Sequence, residues 1–212
     1  MKQITIELQS GKKKVSVPQS WDEIDLETFI RIETEFKYDF SKLITLFSIM
    51  TGIDMAPLEQ SEQKDLDVQL FTLFQFISKP PKWDDLEKPK TLTIDGKVIE
   101  CRYDFKSTTL GQKLTMDQLI RDKPNGMEAM PEAIAVFLQP TVDGKFKPKQ
   151  MKAMIPGILK LKCKEAYSYA EFFFLHSKHL KRYGLNGWAG IPRKRNITAS
   201  WQEVTVSNLS LQ

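Results

Sequence analysis

Apolar and polar residues alternate from the start of the chain: Ile4, Ile6 and Leu8 are separated by Thr5 and Glu7, and after Ser10-Gly11 the alternation resumes at Val15 and Val17. A period of two puts one set of side chains on one face of a strand, so these residues predict a β-hairpin ended by Pro18. The period then changes. Ser20 with Glu23, and Asp25 with Thr28, carry helix-start chemistry, and Leu26, Phe29, Ile30 and Ile32 mark the apolar side of a short helix. Leu43, Ile44, Leu46, Phe47 and Met50 predict a second helix over about 41–51, with Gly52 as its stop. A third helix begins near Ser61, carries Leu66, Leu70, Phe71, Phe74 and Ile77, and ends before Pro80-Pro81.

The order then starts again. Leu92, Ile94, Asp95-Gly96, Val98 and Cys101 predict a second hairpin, because Asp-Gly favours the tight turn that matches strand twist. A short helix is expected at about 114–121, then one bearing Ile134, Val136, Phe137 and Leu138 with a stop at Pro140, a loop through Asp143-Gly144, and a long helix entered at Pro156 and running to about 183. Leu159, Cys163, Ala166, Ala170, Phe173, Ser177 and Leu180 form one seam of that helix. Ile158, Leu161, Tyr169, Phe172, His176 and Tyr183 form a second stripe, expected to be covered by the rest of the chain or by another subunit. Beyond Gly184, Trp201, Val204, Val206, Leu209 and Leu211 lie among polar residues without helical spacing, which predicts an extended arm able to add a strand to a partner.

The expected fold class is therefore α+β and mostly helical, with two β-hairpins each followed by helices, internal duplication as one account of that order, and an extended C-terminal arm. The expected divisions are a hairpin and three-helix lobe over 1–90, a second hairpin and helical lobe with the long helix over 91–184, and a basic, polar arm over 185–212.

At 212 residues the chain can bury a core without disulfides, and Cys101 and Cys163 read as reduced core residues. The strand-like start has no signal-peptide hydrophobic stretch, and the aromatic run Phe172-Phe173-Phe174-Leu175 is too short to cross a bilayer; the chain is expected to stay where it is made, with no membrane contact. The glycines spell neither a dinucleotide fingerprint nor a phosphate loop, and no G-x-S-x-G elbow occurs. His176 and His179 stand three apart without a neighbouring third ligand, so ring stacking at an interface competes with metal binding. Acid pairs such as Asp22-Glu23 and Asp84-Asp85 fit helix-start charges. No catalytic residue, cofactor or metal is assigned, and the chain reads as a non-enzyme.

Charge separates the chain more sharply than any motif does. Residues 1–144 hold 18 Lys and Arg against 24 Asp and Glu, a net of −6, while residues 145–212 hold 13 against 3, a net of +10. Lys145, Lys147, Lys149 and Lys152 precede the expected long helix, Lys160, Lys162 and Lys164 would point in different directions around its first turns, and Arg193-Lys194-Arg195 lie on the arm. Such polarity suits head-to-tail contact with copies of the same chain or docking on an acidic partner, with nucleic acid as the other candidate.

Several segments carry a resemblance. The opening hairpin followed by Trp21-Asp22-Glu23-Ile24 and Leu26-x-x-Phe29, the stretch from Leu43 to Gly52-Ile53-Asp54, Leu110-Gly111-Gln112, and Ile134-Ala135-Val136-Phe137-Leu138-Gln139-Pro140 resemble small structural and assembly proteins of tailed bacteriophages of Bacteroidetes, the crAss-like phages among them. The likeness covers most of residues 1–183. It implies a virion structural protein of the portal, neck or tail region or internal cargo, made in the host cytoplasm and then carried in the virion. Its partners would be other phage structural proteins, in a homo-oligomer or ring, with contact to packaged DNA as a further expectation. The alternatives are a tail-assembly chaperone absent from the mature particle and a nucleic-acid-binding accessory protein. The residues expected to bind partners are Tyr169, Phe172, His176 and Tyr183 on the helix, and Arg193, Lys194, Arg195 and Trp201 on the arm.

Overall fold

A computed structural model describes residues 1–8, 11–56, 66–79, 87–103, 107–123 and 126–176. The protein is mixed α+β with two antiparallel hairpins and a helical majority. Over the described residues it divides into two compact units, one of residues 1–24 with 31–79 and the other of Asp25–Ile30 with 87–176. Asp25–Ile30, which the sequence pattern groups with the first lobe, thus belongs to the second unit.

In the first unit β1 (Lys2–Leu8) pairs with β2 (Gly11–Val17) in a register that sets Ile4 opposite Val15 and Ile6 opposite Lys13. Opposed residues share a face, so Ile6, Val15 and Val17 turn inward together and are buried. The chain next makes a single 3₁₀ turn at Trp21–Glu23, where the indole Nε1–H donates to the Lys79 carbonyl at 2.8 Å and the ring meets Phe76 edge-on at 5.8 Å. A π-helical turn, Ile32–Phe36, buries both of its end residues and closes with Lys37 N–H on the Ile32 carbonyl at 2.8 Å. Helix α2 (Leu43–Thr51) ends at Gly52, whose φ of 69° is the left-handed conformation expected of it. Leu46, Phe47 and Met50 are buried, and Phe47 packs on Phe74, which follows α3 (Leu66–Leu73), with ring centres 6.2 Å apart.

The second unit takes helix α1 (Leu26–Arg31), started by the Asp25 carboxylate accepting from Thr28 N–H at 2.8 Å. Its hairpin joins β3 (Thr91–Ile94) to β4 (Lys97–Glu100) through Asp95 and Gly96, with φ of 48° and 76°. Both values lie where the tight primed turn needs them. Leu92 stands opposite Ile99 on the inward face, whereas Val98, opposite Thr93, is 70% exposed. The sequence pattern assigned Val98 to the apolar set; a two-residue turn fixes the register that gives this place to Ile99 instead.

Helix α4 (Leu110–Asp122) starts earlier than the expected 114, because Thr109 caps it. Thr109 Oγ1 accepts from Gln112 N–H at 3.3 Å, and Gln112 Oε1 accepts from Thr109 N–H at 3.0 Å. Helix α5 (Gly126–Asp143) contacts α4, β4 and the two later helices, and is apolar nearly all round; Met130, Ile134, Ala135, Val136 and Leu138 are all buried. It passes through Pro131 and Pro140, so the expected stop at Pro140 is corrected. Proline cannot donate to the carbonyl four residues back, but Gln112 Nε2 donates to that Val136 carbonyl at 3.0 Å in its place. The helix ends at Gly144, with φ of 71° and its N–H on the Pro140 carbonyl at 2.8 Å.

The expected long helix from 156 to 183 is also corrected. Pro148, and not Pro156, opens α6 (Pro148–Leu159), Pro156 lies inside it, and α7 (Cys163–His176) is separate. Between them Lys160 and Leu161 tighten onto the carbonyls of Gly157 and Ile158, the Leu161 carbonyl accepts Leu26 N–H at 2.8 Å, and Lys162 forms a strand-like bridge with Asp25. A backbone engaged sideways in this way cannot continue the helical ladder. Among the described residues the second unit consequently carries four helices after its hairpin, one more than the repeated order anticipated.

Candidate functional site

Of the residues expected to bind partners, Tyr169 is wholly buried. Its ring meets Tyr103 edge-on at 5.4 Å and its hydroxyl donates to the Arg102 carbonyl at 3.4 Å. Tyr103 in turn donates to the Pro89 carbonyl at 2.6 Å, and the Lys88 ammonium lies 5.7 Å from its ring centre. Burial pushes the Cys101 thiol beside them up to about 11 and raises both tyrosines, so all three stay protonated near neutrality. Tyr169 is therefore an internal residue of the second unit, and Cys101 is poorly placed to act as a nucleophile. Phe172 and His176 lie on the last turns of α7. Tyr183, Arg193, Lys194, Arg195 and Trp201, with His179 and the whole expected arm, lie outside the described residues.

Two surfaces of the second unit stand out. The first is apolar. Leu110 and Leu114 occupy successive turns of α4 and are 71% and 57% exposed, while the opposite side of the helix buries Gln112 and Met116. Val142, 50% exposed, sits in the last turn of α5. The Gln112 contact to the Val136 carbonyl and the packing of Gly111 on the Phe146 ring bring the start of α4 to the end of α5. The sequence reading missed Leu110 and Leu114; their spacing of four was visible, but it did not say which side of α4 the core would take.

The second surface is basic. Residues 145–164 contain seven lysines and no Asp or Glu. Lys145, Lys147, Lys149, Lys152 and Lys160 are all exposed. The backbone of Lys145 and Lys147 is held from within by Gln139, a fully buried side chain. Its amide nitrogen donates to Asp143 Oδ2 at 2.7 Å and to the Lys145 carbonyl at 3.1 Å, and its oxygen accepts Lys147 N–H at 2.7 Å. One glutamine thereby fixes the loop that leads into α6. Lys160, Lys162 and Lys164, expected around the first turns of one long helix, instead fall at the end of α6, the intervening bridge and the start of α7.

Among the described residues no group of three His, Cys, Asp or Glu is arranged to hold a metal ion, and no helix is long and apolar enough to cross a membrane. Compared with protein-family models, with curated proteins and with solved structures, the chain matches none.

Proposed function

We propose that the chain is a non-enzymatic structural protein that works by multivalent contacts with neighbouring subunits, in the setting its resemblance implies: the portal, neck or tail region, or the internal cargo, of a tailed bacteriophage particle. The observation that supports this most directly is the exposed pair Leu110 and Leu114 at the rim of a well-packed helical unit. Burying a leucine is worth about 1.5 to 3 kcal/mol, and a pair on successive turns offers a neighbouring chain a compact anchor. The charge separation adds direction, because a net of −6 over residues 1–144 and +10 over 145–212 favours unlike surfaces meeting.

Mass spectrometry of purified particles tests the assignment: the chain should be present in stoichiometric amount. A chain abundant in the lysate and missing from particles would sink the virion reading and leave the assembly chaperone. In solution, Leu110→Ser with Leu114→Ser should lower the mass measured by light scattering, or the capture of particle proteins, while leaving the denaturation midpoint in place. A monomer with no particle partner before and after substitution would count against subunit contacts at this surface.

A further inference from the structure

The lysines of α6 are arranged as a face. At 100° per residue, Lys149, Lys152, Ala153, Pro156 and Lys160 fall within one sector of the helix, and all five are exposed. The other side buries Met151 and Ile158. Lys149 and Lys160 are eleven positions apart, about 16 Å of axis, and Lys145 and Lys147 extend the face beyond the N-terminus on a loop that Gln139 holds. Within that sector the residues between the lysines are Ala153 and Pro156, both compact, so a ligand's charges can reach the ammonium groups. The ion pairs Arg31–Glu35, Lys42–Asp39 and Lys123–Glu132 do not involve these five lysines. Lys145, Lys147, Lys149, Lys152 and Lys160 are of one sign, with Asp143 in the last turn of α5 and Asp95 beside Gly157 as neighbouring carboxylates, so the face attracts a polyanion.

We infer that the exposed face of α6 is a sequence-independent site for the phosphate backbone of duplex DNA. Over about 16 Å a duplex presents roughly nine phosphate charges, enough to engage every lysine of the face. Lysine contacts phosphate as a point charge and does not read base edges in the bidentate way arginine does, and no arginine occurs in residues 145–164. The face has no aromatic platform of the kind single strands stack on. Ala153 and Pro156 offer little to insert into a lipid surface or to anchor a protein partner. The inference stands apart from the virion assignment, since DNA contact through α6 would hold whether or not the chain is found in particles.

The test is fluorescence anisotropy of a labelled duplex of about 20 base pairs with the full chain, over roughly 50 to 200 mM salt. Five phosphate contacts predict a slope of log affinity against log salt of about −4 to −5, with little difference between unrelated duplex sequences. Lys149→Gln, Lys152→Gln and Lys160→Gln together should reduce that slope by about three and weaken binding about tenfold or more. Lys12→Gln, Lys13→Gln and Lys14→Gln remove the same charge from β2 of the other unit and should change affinity by less than about twofold. The inference is overturned by no binding at low salt, by equal weakening in the two triple variants, or by loss of binding only when Arg193, Lys194 and Arg195 are neutralised. Tighter binding to anionic phospholipid vesicles than to the duplex would likewise overturn it in favour of a lipid surface.

Discussion

Gln112 donates its side-chain amide to the carbonyl of Val136, the acceptor that Pro140 leaves without its helical N–H. The same side chain completes the cap of α4 through its oxygen. One buried amide thus lets a proline sit inside α5 and sets where α4 begins. Replacing Gln112 by Leu should destabilise the protein by about 1 to 3 kcal/mol, the usual penalty for a buried carbonyl without a donor. In a Pro140→Ala background the helix supplies its own N–H to Val136, so the same replacement should cost less. A double-mutant cycle by urea denaturation measures the difference, and strictly additive effects would refute the coupling.

At Gly157, α6 passes close against the second hairpin. A Cβ there would lie 2.6 Å from both Ile94 Cγ2 and Asp95 Oδ2, inside any normal contact, whereas at Gly111 the nearest atom, Phe146 Cδ1, is 3.2 Å away on a ring that can shift. Gly157→Ala is expected to lower stability by about 1 to 3 kcal/mol and Gly111→Ala by appreciably less. Thermal denaturation of the two variants side by side checks the order.

Tyr169 offers a direct contrast between core and interface. Tyr169→Phe removes one long hydrogen bond, at 3.4 Å, and should cost under about 1 kcal/mol, while Tyr169→Ala empties a fully buried ring site and should cost about 3 to 5 kcal/mol. Urea denaturation reads the loss. If Tyr169→Ala altered self-association and left the denaturation midpoint unchanged, the ring would belong to an interface after all.

Alkaline pH should weaken the second unit. Burial raises the Cys101 thiol from 9.0 to about 11, and raises Tyr103 and Tyr169 as well. A group whose pKa is higher in the folded state contributes its full stability below the unfolded value and loses it as pH rises toward the folded one. Stability should therefore be flat with respect to these groups up to about pH 9, then fall by about 2 kcal/mol from Cys101 alone by pH 11. Denaturation midpoints of the parent and of Cys101→Ala across this range should converge as pH rises.

Local chemistry made the hairpins and the capped helix of the first unit legible. Asp95-Gly96 and Gly52 adopt the positive φ that their residue types allow, and Leu46, Phe47 and Met50 are buried as their spacing requires. The composition of residues 145–164 likewise displays a basic segment whatever the chain's fold. These features depend on neighbours in sequence, which is why sequence reading reaches them. Pro140 and Pro156 read as a helix stop and a helix start for the same local reason, and both expectations fail: Gln112, 28 positions before Pro140, satisfies the freed Val136 carbonyl, and Pro156 lies inside a helix that Pro148 opens. Whether Leu110 and Leu114 faced the core or water, and whether Tyr169 faced a partner or Tyr103, was equally undetermined by spacing. Periodicity establishes that a helix has an apolar side; which side is covered, and by what, is decided by contacts between residues distant in the chain. Only the tertiary structure could therefore set Lys149, Lys152 and Lys160 on one exposed face and make Tyr169 part of the core.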